Sequence, residues 1–247
     1  MRYRIVFVCM GNICRSPTAH AVFRHRLQAT GLDRVVSVDS AGTHSYHIGA
    51  APDARSQRHA STRGYRMDDL QARRVHETDF AEADLLLAMD WDNLALLEQA
   101  CPPAHRHKVR RFAEFFQRHD SPVVPDPYEG GAAGFEEVLD LVEDGCEGLL
   151  AHLARPNVVQ QCLPDWTLDA DGTRIHRQWQ FKTFAQAMHF IQRIGELAEA
   201  QNHHPDLWNS WTRVRVSLTT HDSGGLTWRD LALAAAIDHD VPLEELA

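Results

Sequence analysis

Residues 4–8, RIVFV, run directly into residues 9–16, CMGNICRS, and Pro17 follows. After Arg4 the run is apolar and mainly β-branched, the pattern of a short buried strand. Pro17 suits the first turn of a helix, where its missing N–H leaves no bond unmade. Between strand and helix the chain must turn tightly, which Gly11 and Asn12 permit. Such a loop aims backbone N–H groups and the positive helix end at one point, an arrangement that holds a phosphoryl group. Arg15 adds a fork able to grip two oxygens. Cys9 stands at the strand end, where those amides and Arg15 favour a thiolate, and Ser16 can donate to its sulfur. This spacing reads as a thiolate nucleophile facing a bound phosphate monoester. The alternative is a structural cysteine buried in a turn.

Outward from this loop, strands and helices alternate. Residues 35–39 (VVSVD) read as a second strand, residues 51–63 as a helix stopped by Gly64, and residues 83–89 as a buried third strand. Residues 91–99 are helical up to Cys101-Pro102-Pro103, and an amphipathic helix spans about 132–153 after the Pro-rich stretch 121–128. This predicts an α/β domain whose parallel sheet is covered on both faces. Pro156 then stops the helix and pushes Arg155 out of the α region.

Beyond it the grammar changes. Residues 166–169 and 173–181 flank Ala170-Asp171-Gly172 as a hairpin. Residues 183–202 place Phe184, Ala187, Met188, Ile191, Ile194, Leu197 and Ala198 on a helical stripe. Residues 207–220 contain the strand alternation Val214, Val216, Leu218, and residues 227–239 return to helix with Thr227 as cap. The expectation is an α/β parallel-sheet domain over 1–153 followed by an α+β antiparallel-sheet domain over 157–247.

The chain of 247 residues carries a net charge of −9. Residues 1–155 hold 18 basic and 22 acidic side chains, and the remainder 7 and 12, so neither part is basic. Nucleic-acid and anionic-membrane partners therefore lack electrostatic support. No apolar run approaches the ~20 residues that span a bilayer. The apolar start is only a strand long and lacks a cleavage site, so it reads as the first strand and not as a signal peptide. The five cysteines are scattered, with neither disulfide-framework nor zinc spacing, which points to a reducing cytoplasm.

Several segments carry a resemblance. CMGNICRSP, SAGT (residues 40–43), PDARSQ (52–57), LLLAMDWDN (85–93) and PDPYEGG (125–131) resemble the low-molecular-weight protein-tyrosine phosphatases in order, over about residues 1–153. The resemblance implies that Cys9 forms a phosphocysteine and that Arg15 binds the phosphoryl group. Met10, Gly11, Asn12, Ile13, Cys14 and Ser16 would complete the cradle. Asp126 would protonate the leaving phenoxide and then activate water. Tyr46 and Tyr128 would clasp the ring of a phosphotyrosine or small aryl phosphate. Two departures stand out: Leu70 occupies the place of a histidine that supports the loop serine, and Glu129 adds negative charge after the DPY. Cys14 reads equally as a redox guard for Cys9 or as a small buried side chain. Arsenate reductases share the loop but need relay cysteines, and no cysteine lies between Cys14 and Cys101.

A second cluster comprises Glu199, His203, His204 and His221. Histidines at a helix end, with a third after the next strand, can form an acid/base pair. Zinc is a competing reading, and a solvated helix terminus is the bland one. Here LPDW (163–166), FKTFAQAMHF (181–190), HHPD (203–206) and TTHDSGGLTWRD (219–230) resemble the pterin-4a-carbinolamine dehydratases in order. The resemblance implies metal-free, cofactor-free acid/base dehydration of a 4a-hydroxytetrahydropterin, with His203, His204 and His221 around the pterin. Glu199 and Asp230 would support them, and Trp208 would be core or pocket wall. It also implies self-association through this half. The expected chain is thus a bifunctional enzyme. The alternatives keep one half catalytic and make the other a binding or dimerisation module, or make the first half an arsenate reductase.

Overall fold

The computed structural model describes residues 2–241. They fall into two compact units, one made of residues 3–29 and 36–149, the other of the described residues from Leu150 onward together with Arg2 and residues 30–35.

In the first unit, β1 (Tyr3–Cys9) leads through the loop into α1 (Arg15–Thr30) and β2 (Val36–Gly42). Asp53 caps α2 (Ala54–Thr62), and Gly64, at φ 84°, takes the chain out of that helix. α3 (Glu77–Glu82), β3 (Leu85–Ala88), α4 (Trp91–Ala100), β4 (Val109–Arg111) and α5 (Ala132–Leu153) follow. The strands form a parallel sheet in the order β2-β1-β3-β4. That order reverses direction at β1, and in such sheets ligands bind beyond the carboxyl ends of the strands at the reversal. Cys9 is the last residue of β1.

Burial on both faces explains why residues 5–8 of β1 and the whole of β3 are unbroken apolar runs. Phe7 of β1 meets Phe23 and Phe112 edge to face, at 6.2 and 5.1 Å. α5 comes unusually close to the segment after β4. A Cβ on Gly148 would lie 1.9 Å from the Phe115 carbonyl oxygen, so only glycine fits there.

The second unit opens with α6 (Pro156–Cys162), followed by β5 (Thr167–Leu168), β6 (Ile175–Gln180), α7 (Phe184–Gln201), β7 (Asp206–Ser210), β8 (Arg213–Leu218) and α8 (Trp228–Asp240). Its sheet is antiparallel, in the order β5-β6-β8-β7. Ile175, Trp179, Val214, Val216 and Leu218 are buried, as are Ala187, Phe190 and Ile194 of α7.

Four sequence expectations need correction. Residues 207–220 are two strands, because the chain reverses at Trp211 (φ 53°), held by Asn209 Nδ2 on the carbonyls of Trp211 and Arg213; no glycine announces that turn. Pro156 ends one helix and also begins another, since proline suits a first helical turn. The buried stripe of α7 runs through Ala187, Phe190, Ile194 and Ala198, leaving Phe184 and Met188 exposed. Trp208 is 47% exposed on the edge strand and is not core.

Candidate active sites

The loop after β1 closes against β2 because Gly42 has no side chain; a Cβ there would sit 2.7 Å from the Met10 carbonyl oxygen. Thr43 and His44 N–H groups bond the carbonyls of Cys9 and Met10. Asn12 takes the left-handed conformation at φ 55°, which asparagine tolerates better than most residues. The result is a compact nest in which Cys9 Sγ lies 3.1 Å from Ser16 Oγ and accepts the Asn12 N–H at 3.3 Å. Asn12 Nδ2 donates to Ser16 Oγ and Ser40 Oγ, while its Oδ1 accepts the Arg73 N–H.

Arg15, buried at the start of α1, reaches back over the loop. Nη1 donates to Asp90 at 2.5 Å and to the Val124 carbonyl, and Nη2 donates to Asp126 at 2.6 Å. Burial alone would lower its pKa, but Cys9, Asp126 and Asp90 outweigh that and raise it, so the guanidinium stays charged. Asp126 Oδ1 also accepts the Tyr128 N–H. Arg55 of α2 fixes this segment by donating to the Tyr128 carbonyl and lying 5.3 Å over its ring.

These residues line a cleft of about 400 Å³. Cys9, Met10, Gly11, Ile13, Cys14 and Arg15 form its floor, with Asp126 beside them and Tyr46, His47, Tyr128 and Glu129 around it. Asn12 and Ser16 are buried behind the loop, supporting it. Tyr46 is 74% exposed and stacks on His44 at 5.2 Å, which leaves its ring open at the cleft. Burial pushes the Cys14 thiol up to about 12, against a lowering bond from Ser56, so it is a neutral thiol at physiological pH. Reading the sequence missed Asp90, which both caps α4 through the Asn93 N–H and holds Arg15. Its signal was the Asp-x-x-Asn helix start within LLLAMDWDN.

In the second unit, α7 ends at Asn202, in the left-handed conformation with φ 47°. His203 follows, buried, with Nε2 2.8 Å from Asp230 Oδ1. Asp230 is fully buried near the start of α8, where its other oxygen accepts the Thr227 N–H and the Thr220 hydroxyl. One carboxylate thus ties His203 to the segment that carries His221, the next residue after Thr220. His221 is exposed at the start of a single helical turn, His221–Ser223. His204 is exposed and pairs with exposed Glu199 at 3.0 Å. Glu199 therefore joins His204 and not the buried pair. Among the described residues, no three His, Cys, Asp or Glu side chains are grouped as metal ligands.

Comparison with known proteins follows the same division. The family model for low molecular weight phosphotyrosine protein phosphatase matches residues 4–159, and that for pterin 4 alpha carbinolamine dehydratase matches residues 151–239. A Synechocystis protein described as a low molecular weight protein-tyrosine-phosphatase is 44% identical over 153 residues, covering 62% of this chain and 97% of its own. A Rhodospirillum rubrum protein described as a pterin-4-alpha-carbinolamine dehydratase is 50% identical over 78 residues, covering 32% of this chain and 81% of its own. The crystal structure of a protein tyrosine phosphatase from Entamoeba histolytica aligns with TM-score 0.60 and 41% identity, covering 61% of this chain and 96% of that one. The chain belongs to both families: a phosphatase-family hydrolase in its first part and a pterin-dehydratase-family lyase in its second.

Proposed function

We propose that the two parts, divided at about residues 154–156, are each catalytic: residues 1–153 hydrolyse phosphotyrosine or a related aryl phosphate, and residues 157–247 dehydrate a 4a-hydroxytetrahydropterin. The phosphatase reading is carried by one observation. Cys9, Arg15 and Asp126 line a single cleft, with Ser16 directly behind the sulfur. A phosphoryl group entering it would give Arg15 two oxygens in place of Asp126, releasing that carboxyl for proton transfer. The Cys9 thiolate attacks phosphorus and the aryl P–O bond breaks, with Asp126 supplying the proton to the leaving oxygen. Asp126, now a carboxylate, takes a proton from water as that water attacks phosphorus. The S–P bond then breaks and releases inorganic phosphate.

In the second part, the buried Asp230 carboxylate lies 2.8 Å from His203 Nε2 and fixes the orientation of a ring that can move protons. His203 and His221 would share the transfer: one protonates the 4a-hydroxyl so that the C–O bond breaks and water leaves, and the other takes the ring-nitrogen proton. His204, held by Glu199, would orient the ring. The five free cysteines suit a reducing compartment, the cytoplasm.

The test is to assay the intact chain on p-nitrophenyl phosphate and on a 4a-hydroxytetrahydropterin. Wild type should turn over both, and Cys9→Ser should lose the first alone. Undiminished phosphate hydrolysis by Cys9→Ser would falsify the nucleophile assignment.

A further inference from the structure

His20 is a buried titratable group that the chemistry above leaves unused. It lies on α1 about one turn beyond Ser16, 9% exposed, with Nδ1 3.3 Å from Ser40 Oγ. The surrounding bonds orient the groups beside it. Asn12 Oδ1 accepts the Arg73 N–H at 2.9 Å, so its amide nitrogen must face the two serines, at 3.0 Å from Ser40 Oγ and 2.9 Å from Ser16 Oγ. Ser40 therefore receives a proton from Asn12 and has its own hydrogen to give. His20 Nδ1 lies beside it and takes that hydrogen in the tautomer with the imidazole proton on Nε2. Burial pushes His20 down to about 4 against the raising pull of Asp39, so the ring is neutral near pH 7 and one ring nitrogen is free to accept. Ser16 has two acceptors within reach of its hydroxyl, Cys9 Sγ at 3.1 Å and the Ala41 carbonyl at 3.2 Å. Leu70 has no polar side-chain atom to contribute.

We propose that His20 is a positioning residue for the Cys9 nucleophile: it accepts from Ser40, which fixes the Asn12 amide, which turns the Ser16 hydroxyl toward the sulfur. The inference rests on reading Cys9 as the nucleophile. It assigns the support of the loop serine to a histidine on α1.

Three variants of the full chain test it. His20→Phe keeps a ring but removes the acceptor. His20→Asn returns an oxygen near the place of Nδ1. Ser40→Ala cuts the same chain of bonds at small cost in volume, and covers the case in which His20→Phe does not fold. The readouts are the rate of Cys9 alkylation by iodoacetamide at neutral pH, and kcat and KM on p-nitrophenyl phosphate. His20→Phe and Ser40→Ala should each slow alkylation and kcat by about three- to tenfold, the kinetic equivalent of one hydrogen bond, with KM little changed. His20→Asn should recover most of the loss, and the double variant should be no slower than either single one. Wild-type alkylation and kcat in both Ser40→Ala and His20→Phe would overturn the proposal. So would His20→Asn as slow as His20→Phe, or fully additive losses. Alkylation needs no turnover, so an absence of aryl phosphate hydrolysis in wild type would sink the phosphatase reading while His20 could still be judged.

Discussion

Arg15 Nη2 donates to Asp126 Oδ2 at 2.6 Å, joining residues 111 positions apart in the chain. The side chain expected to grip the phosphoryl group and the one expected to protonate the leaving group are therefore partners before any substrate enters. In the proposed mechanism phosphate and Asp126 compete for the same donor.

That competition makes Asp126→Ala informative in two directions. Its kcat on aryl phosphates should fall by about 10²- to 10³-fold, the range of general acid catalysis, and most for substrates with poor leaving groups. Inorganic phosphate should bind the variant more tightly, because Arg15 has lost a rival. Inhibition constants for phosphate, measured beside kcat across a leaving-group series, check both. Weaker phosphate binding in Asp126→Ala would contradict the competition.

Asp230 occupies the corresponding place in the second unit. Asp230→Asn keeps the shape but removes the charge beside His203 and replaces one of the two accepting oxygens with a donor. Dehydration should slow by about 10²-fold or more, in line with a misdirected acid/base histidine, while phosphate hydrolysis stays at the wild-type rate. His204→Ala should raise KM more than it lowers kcat, since His204 sits exposed with Glu199, away from the buried carboxylate. Steady-state dehydration kinetics separate the two effects.

Asp144 of α5 bears on stability and not on chemistry. It is fully buried and accepts the N–H groups of Gln117, Arg118 and His119 together with His119 Nδ1. Burial raises its pKa, but the His119 and backbone bonds outweigh that and bring it down to about 2, from an ordinary 3.8. A carboxyl depressed in the folded state stabilises fully above its unfolded pKa and loses that stabilisation as pH falls through the folded one. Asp144→Asn should therefore destabilise the first unit by about 2 kcal/mol at neutral pH. The gap from wild type should narrow between about pH 4 and pH 2. Urea unfolding across that range measures it; a gap independent of pH would place the effect in packing.

Much of the fold was legible in the sequence because its signals were local. The run RIVFV, the cap Thr227 and the length of α5 each follow from patterns within a few residues. What escaped depended on partners far along the chain or on turns without the usual residues. Trp211 reverses the chain without glycine, and β4 is three residues long, too short for any periodicity. At the sites, Cys9 and Arg15 sit on one loop and announce themselves. Asp126 was named only through family resemblance. Asp90 and Ser40 emerged only once the sheet had brought their segments beside the loop, and His20, one turn beyond Ser16 on α1, only once Ser40 stood against it.

In the proposed mechanism Cys9 carries the phosphoryl group covalently. Mixing Asp126→Ala with p-nitrophenyl phosphate, quenching in milliseconds and mapping the peptides by mass spectrometry tests it most directly. The variant should accumulate phosphate on Cys9, because the carboxylate that activates water is gone. Full turnover with no phosphate on Cys9, or phosphate on another side chain, would contradict the mechanism.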